Sequence, residues 1–334
     1  MKKIIIISND KIFLNRNKLS SNYNDTINIL DSLNKKYQVY LISRKSKIKQ
    51  NFSLIPKKKN EKIKLFYLND FKKNENLKIL IISVTPRNLA NYLSLKFFFK
   101  KISGYVYLRS DGYKEYEKKF SIFGKFFYGI FLRLVINKLK VIAVSKNIEC
   151  PKQKAIIIPS ELDDDWFKNI KKVDHIYPKL LYLGRFKIEK GVYSLINLIN
   201  KINFKHELTI AGDSKKIGFN SKNIKYLSEI TKKKEVIKLY DDHNIFILPS
   251  YTEGSPKVIL ESLARKRPVI VFKEIKHVKS NLNGVFFCER NVDSLKNTIN
   301  FILKNYKQIQ KKMNKNNLPT KIKFQKQLID ILDG

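Results

Sequence analysis

IFILPSYTEGSPKVILESLARKRPVIVF, residues 245–272, is the stretch on which the reading of this chain turns. An apolar run of strand length ends near Pro249, and a polar loop carries Glu253 and Gly254. A helical pattern follows, and then a second apolar run, RPVIVF (267–272). Apolar strands separated by helices build parallel sheets covered on both faces. Ser255 suits the N-cap of the helix and Pro256 its first position. The amides exposed at such a helix start hold anionic oxygens, and Gly254 lets a ligand approach the backbone closely. Glu261 lies on the helix, on the face of Pro256, Lys257 and Leu260. A loop carboxylate and a helix carboxylate at this spacing address two parts of one ligand, and carboxylates are strong acceptors for sugar and ribose hydroxyls.

Upstream, LLYLGRFKIEKGVYSLINLI (180–199) has the same grammar: strand, Gly184, Arg185, a short loop, Lys190, Gly191, helix. Arg185 as a planar fork and Lys190 as a point charge match a diphosphate. Cations there stabilise charge that builds on a phosphate leaving group.

The pattern extends along the chain. Strands are expected at 3–8, 38–43, 77–84, 105–109 and 140–145, then at 179–184, 206–212, 244–250 and 267–272. Helices are expected at 22–35, 87–100, 189–201, 233–241, 256–266 and 291–304. The fold class is therefore α/β, with two Rossmann-like doubly wound parallel-sheet domains facing each other across a cleft. The boundaries expected are an N-terminal domain over 1–160 on the acceptor side, a linker over 161–178 and a donor domain over 179–315. A C-terminal helix over 316–334 packs back on the first domain.

The segment FSIFGKFFYGIFLRLVINKLK (120–140) is apolar almost all round but interrupted by Lys125, Arg133, Lys138 and Lys140. It is a poor spanning helix. A buried domain helix is the first expectation, and a basic, aromatic-rich helix lying in a membrane interface is the alternative. KFFFKK (96–101) has the same character.

Together, LGRFKIEKG and EGSPKVILE resemble the GR-x4-K and E-x7-E signatures of the family 4 (group 1) glycosyltransferases of the GT-B fold. ELTIAG, NIFILPS and KVIAVS fall in that family's order, and IIIPSELDDDWF resembles its inter-domain element. The resemblance implies a retaining transferase that uses a nucleotide-diphosphate sugar and requires no metal or other cofactor. Arg185 and Lys190 would grip the diphosphate beside Gly184. Glu261 would bind the ribose, and Glu253, with Gly254, Ser255 and Pro256, would hold the transferred sugar. Glu253, Arg185, Lys190 and Asp111 are the candidate catalytic residues. The first domain departs from the family pattern. SNDKIFLNRN (8–17) lacks the usual glycines, and Arg109, Ser110, Asp111 and Gly112 stand where a histidine is usual. Asp213 and Ser214 replace a second glycine after AG.

Composition bounds the rest. Two distant cysteines, Cys150 and Cys288, and four scattered histidines give no metal-ligand spacing and no disulfide framework, which fits a reducing cytoplasm. Asp163, Asp164 and Asp165 imitate a metal-binding D-x-D but read as polar linker residues. The net charge of +39 fits an anionic partner. Its spread along a Lys-, Asn- and Ile-rich, Ala-poor chain equally fits the codon bias of an AT-rich genome. The expected partners are a nucleotide sugar, a glycan or lipid-linked acceptor of the cell-surface or lipopolysaccharide type, and an anionic membrane surface. The site expected is the cytoplasm, at the inner face of the membrane. Two other classes stay open: a catalytically inactive scaffold of the same shape, and a basic nucleic-acid-binding protein. The latter lacks a recognisable module.

Overall fold

The computed structural model describes residues 2–15, 18–21, 23–45, 57–58, 63–72, 75–212, 222–230, 232–253, 256–278 and 282–334. The chain divides into two compact units, Met1–Pro159 with Lys321–Gly334, and Ser160–Thr320.

The first unit holds β1 (Lys2–Asn15), β2 (Lys18–Ser21), β3 (Tyr37–Lys45), β4 (Lys57–Lys58), β5 (Ile63–Leu65), β6 (Leu77–Ile82), β7 (Ile102–Leu108), β8 (Lys140–Ala143) and β9 (Lys154–Ile156). Seven of them run parallel in the order β5-β3-β1-β6-β7-β8-β9. β2 lies antiparallel to the far end of β1, and β4 antiparallel to β2. Ile4 to Ile7 of β1 are all fully buried, because a central parallel strand has both faces covered. Residues 8–15 of SNDKIFLNRN, the stretch where the family pattern has a glycine-rich loop, thus belong to the first strand, and Arg16 and Asn17 lie outside the described residues. β1 continues to Asn15, past a register shift between Ile7 and Lys11.

Three helices of this unit are α1 (Asn24–Leu33), α2 (Pro86–Phe98) and α3 (Gly112–Ile136). The hydroxyl of Thr85 caps α2 by accepting from the Asn88 amide, with Pro86 at its first position. The C-terminal helix, Lys321–Asp333, buries Phe324, Leu328 and Leu332 in this unit's core. Lys36 Nζ donates to Asp333 at 2.7 Å and Lys35 Nζ to Gln325 at 2.8 Å.

Helix α3 corrects the expectation of a helix buried all round. Phe120 and Ser121 leave helical geometry and break it in two, Ser121 at φ 59°. Beyond the break Gly124, Tyr128, Leu132 and Val135 face the core. Phe123, Phe126, Phe127, Ile130 and Leu134 are exposed.

The second unit contains β10 (Lys179–Leu183), β11 (Glu207–Ala211), β12 (Ile224–Leu227), β13 (Ile245–Leu248), β14 (Val269–Phe272) and β15 (Val285–Cys288). All are parallel, in the order β12-β11-β10-β13-β14-β15. The order reverses direction between β10 and β13, which places a topological switch point at their carboxyl ends. Helices α4 (Val192–Ile199), α5 (Lys233–Asp242), α6 (Lys257–Ala264), α7 (Val292–Lys304) and α8 (Tyr306–Met313) complete this unit. Leu162 and Trp166 of the stretch before β10 are buried in its core.

A buried charge cluster ties that stretch down. The Arg265 guanidinium donates to both carboxylate oxygens of Asp241, at 2.9 and 2.7 Å, and to the carbonyls of Trp166, Lys168 and Asn169. Arg267 donates to the carbonyls of Tyr240, Arg265 and Lys171. Both arginines are fully buried, so each N–H needs a partner.

Candidate functional site

At the switch point of the second unit, the loop after β10 meets the loop after β13. The first continues the ladder through the Gly184 amide, which donates to Ala211 at 3.0 Å. Arg185 follows with an exposed side chain, its carbonyl held by the Tyr182 hydroxyl at 2.8 Å. A short 3-10 turn, Ile188–Lys190, then ends on Gly191 at φ 66°. This left-handed position opens α4 and favours glycine. A Cβ on Gly191 would also stand 2.0 Å from the Pro249 carbonyl oxygen, so the two loops touch there through bare backbone. At the end of β11, a Cβ on Gly212 would meet the Gly184 carbonyl oxygen at 1.9 Å.

The second loop is stitched to the first. The Tyr251 amide donates to the Glu189 carbonyl at 2.9 Å. Lys190 Nζ lies 2.6 Å from Glu253 Oε1, and Ser250 Oγ donates to the same oxygen at 2.6 Å. Lysine and glutamate, 63 positions apart, thus form one half-buried ion pair at the sheet edge. Gly254 and Ser255 lie outside the described residues. Pro256 stands at the cap of α6 with extended geometry (φ −73°, ψ 106°), so the helix starts one residue later than expected. A boundary shift of that size is ordinary where a proline leads into a helix.

Glu261 projects from α6 in the same unit. Its Oε2 accepts from the Tyr240 hydroxyl at 3.0 Å. Loss of water around it, reinforced by the Glu161 carboxylate, pushes its carboxyl from 4.5 up to about 7. The Tyr240 hydroxyl and Lys257 pull the other way. Lys257 is itself paired with Glu161 at 2.5 Å.

Arg290, which the sequence reading passed over, joins the edge from the end of β15. Its guanidinium carbon sits 4.0 Å from the ring centre of Tyr251 and 4.4 Å from that of Phe272. Nη2 donates to the Pro249 carbonyl at 2.8 Å, and Nε to Glu274 at 2.5 Å. Only a planar cation stacks between rings and donates sideways at once. The available signal was its rarity, since nine arginines stand among 68 Lys and Arg.

Asp111 lies in the first unit. It is the N-cap of α3 and accepts from the Lys114 amide at 3.3 Å. At the same edge Arg109 grips Asp10 with Nη1 at 3.2 Å and Nη2 at 2.7 Å, and Thr26 bonds to both. Asp163 and Asp165 pair with Lys233. A cavity of about 280 Å³ opens among the ends of β3 and β5 and helix α2, with Leu41, Phe66, Leu95 and Phe98 in its walls.

The arrangement therefore offers cations, a carboxylate and the start of α4 at a sheet's carboxyl edge. Such crevices hold phosphorylated ligands. Residues 177–305 match the family described as Glycosyl transferases group 1. An uncharacterized glycosyltransferase of Methanocaldococcus jannaschii is 28% identical over 221 residues, 62% of this chain. The match spans 60% of that protein's length. Among solved structures, sucrose-phosphate synthase from Thermosynechococcus elongatus superimposes with a TM-score of 0.68 at 14% identity, covering 99% of this chain and 98% of that one. Anabaena HepE in complex with UDP-glucose gives 0.66 at 14% identity, covering 99% of each. The fold is that of the GT-B glycosyltransferases, and the resemblance to group 1 holds.

Proposed function

We propose that this chain, of the GT-B fold and matching the group 1 glycosyltransferases over residues 177–305, transfers a sugar from a nucleotide-diphosphate donor, with retention, to a glycan or lipid-linked acceptor at an anionic membrane surface. The observation that carries the reading is the Lys190–Glu253 pair at the switch point, 2.6 Å apart, on the loop that also carries Arg185. Arg185 and Lys190 take the diphosphate, near Gly184. Glu253, with Gly254, Ser255 and Pro256, takes hydroxyls of the transferred sugar, and Glu261 those of the ribose.

As the glycosidic bond breaks, the sugar becomes oxocarbenium-like and charge gathers on the departing diphosphate. In this reading Arg185 and Lys190 stabilise that charge, as donors do where charge develops. The reaction needs no resident cofactor in this account. HepE was solved with UDP-glucose, which makes a UDP-sugar the first donor to try. The place of action is the cytoplasm, at the membrane's inner face.

The test is release of nucleoside diphosphate from UDP-, GDP- and ADP-sugars in the presence of a lipid or glycan extract, with the product's anomeric configuration read by NMR. One donor should be consumed with retention, and Lys190→Ala should lower the rate at least about a hundredfold, as loss of a transition-state donor does. Release from no donor would point instead to the inactive scaffold reading. Inversion would remove the retaining assignment.

A further inference from the structure

The two helices α2 and α3 carry an apolar face that nothing in their unit covers. Beyond its break, α3 repeats exposed apolar residues at Phe123, Phe126, Phe127, Ile130 and Leu134. That spacing of three and four is one full helical stripe, opposite the buried one. Phe123 is 71% exposed and Phe126 66%. Helix α2, which packs on α3, adds Leu93, Phe98 and Phe97, the last 86% exposed. Scattered exposed apolar residues are normal, but aromatic residues repeated along one helix face mark an interaction surface.

The charge around it selects the occupant. Lys96, Lys100, Lys101, Lys118, Lys119 and Arg133 are exposed on and beside the same helices. The acids of α3, Glu115 and Glu117, both precede the break, and none follows it. Long cationic side chains that flank aromatic rings suit a bilayer surface, where ring and ammonium divide between acyl chains and headgroups. A protein partner would have to supply acids all round a flat aromatic centre. Among the described residues no helix is long and apolar enough to cross a membrane. The face therefore fits a helix that lies on the membrane. The break itself contributes. Ser121 holds a φ of 59° and ψ of −159°, a region that strongly favours glycine. The chain thereby turns Phe120 and Ile122 outward at the head of the stripe.

We propose that this α2–α3 face docks on an anionic lipid bilayer, with the aromatic rings at acyl-chain depth and the lysines among the headgroups. The proposal rests on the membrane-surface part of the functional reading and assigns it to named residues.

The test is flotation of the full chain with vesicles of phosphatidylcholine alone and of phosphatidylcholine with a quarter phosphatidylglycerol, at low and at 0.5 M salt. Phe123→Ser/Phe126→Ser/Phe127→Ser removes the rings without changing charge. Ile176→Ser/Phe301→Ser/Ile322→Ser removes equally exposed apolar groups elsewhere. Wild type should bind the anionic vesicles and keep part of that binding at high salt. The α3 variant should bind at least tenfold more weakly, while the control variant stays at the wild-type level. In Phe126→Trp, the new indole should shift to the blue on the anionic vesicles; Trp166 is buried and contributes a constant background. Equal binding by all three proteins would overturn the proposal by making the attraction mere net charge. So would an absence of vesicle binding by wild type, or self-association that the α3 variant abolishes. Donor-induced thermal shifts on the same proteins separate the two claims. Donor response without vesicle binding sinks the docking face alone, and vesicle binding without donor response sinks the transferase reading alone.

Discussion

Glu261 should make this protein less stable as pH rises through neutrality, and Glu261→Gln should remove that dependence. The folded carboxyl sits at about 7, against 4.5 for an ordinary glutamate. A raised value means that the fold prefers the protonated form. The stability it contributes is therefore complete below about pH 4.5 and is lost as pH climbs through 7. Over that window the loss amounts to as much as about 3 kcal/mol, from 1.36 kcal/mol per pH unit. Glutamine keeps the shape and an oxygen for the Tyr240 hydroxyl but never ionises. The variant should match wild type near pH 4.5 and exceed it by about 2–3 kcal/mol near pH 8.5. Trp166, the one tryptophan, packs edge-on against Tyr240 at 5.9 Å. Urea unfolding followed by its fluorescence thus reports on the unit that holds Glu261. Parallel pH profiles for the two proteins, or a variant weaker at every pH, would refute the reasoning.

Three more outcomes follow from the same unit. Asp241→Asn leaves two buried arginines without their carboxylate and should cost about 3–5 kcal/mol, as removal of one partner of a buried pair does; the urea midpoint of the second unit is the measurement. Gly191→Ala places a Cβ 2.0 Å from the Pro249 oxygen and a side chain at φ 66°. It should lose at least about 1–2 kcal/mol from the backbone alone, together with its donor-induced thermal shift. Arg290→Lys keeps the charge but loses the plane that stacks between Tyr251 and Phe272. Donor affinity should fall several-fold in calorimetry, with the free energy of unfolding lowered by about 1 kcal/mol.

What the sequence made legible was whatever the physics of buried parallel strands dictates. All nine expected strands form, because runs such as Ile4–Ile7 and VIVF at 269–272 cannot be placed anywhere but inside. The strands that escaped notice are of another kind. β2, β4, β5 and β9 are short, β15 is half-buried, and β12 carries lysine and tyrosine. Edge and near-edge strands cover one face only, so their residues do not announce a core. The break in α3 was invisible because neither Pro nor Gly marks it; a serine takes the strained position. The exposed stripe was legible only as the alternative of an interfacial helix, because sequence does not separate the two readings. A helix that is apolar on two faces looks wholly buried in sequence. At the site, the motifs placed Lys190 and Glu253 near one edge, but that they bond to each other depends on Gly191 and Pro249 touching. Arg290, Tyr240 and the Arg265–Asp241 cluster depend on long-range packing that no local spacing encodes.

The most direct test of the central claim is isothermal calorimetry of the full chain with UDP-glucose, and then with GDP-, ADP- and CMP-sugars, on wild type, Arg185→Ala and Lys190→Ala. The account predicts that one donor binds wild type with a measurable heat, and that each substitution weakens it by at least about tenfold, since hydrogen bonds to charged groups are each worth about 1.5–3 kcal/mol. Binding that survives both substitutions unchanged, or no binding of any donor to a wild type that unfolds cooperatively, would contradict it.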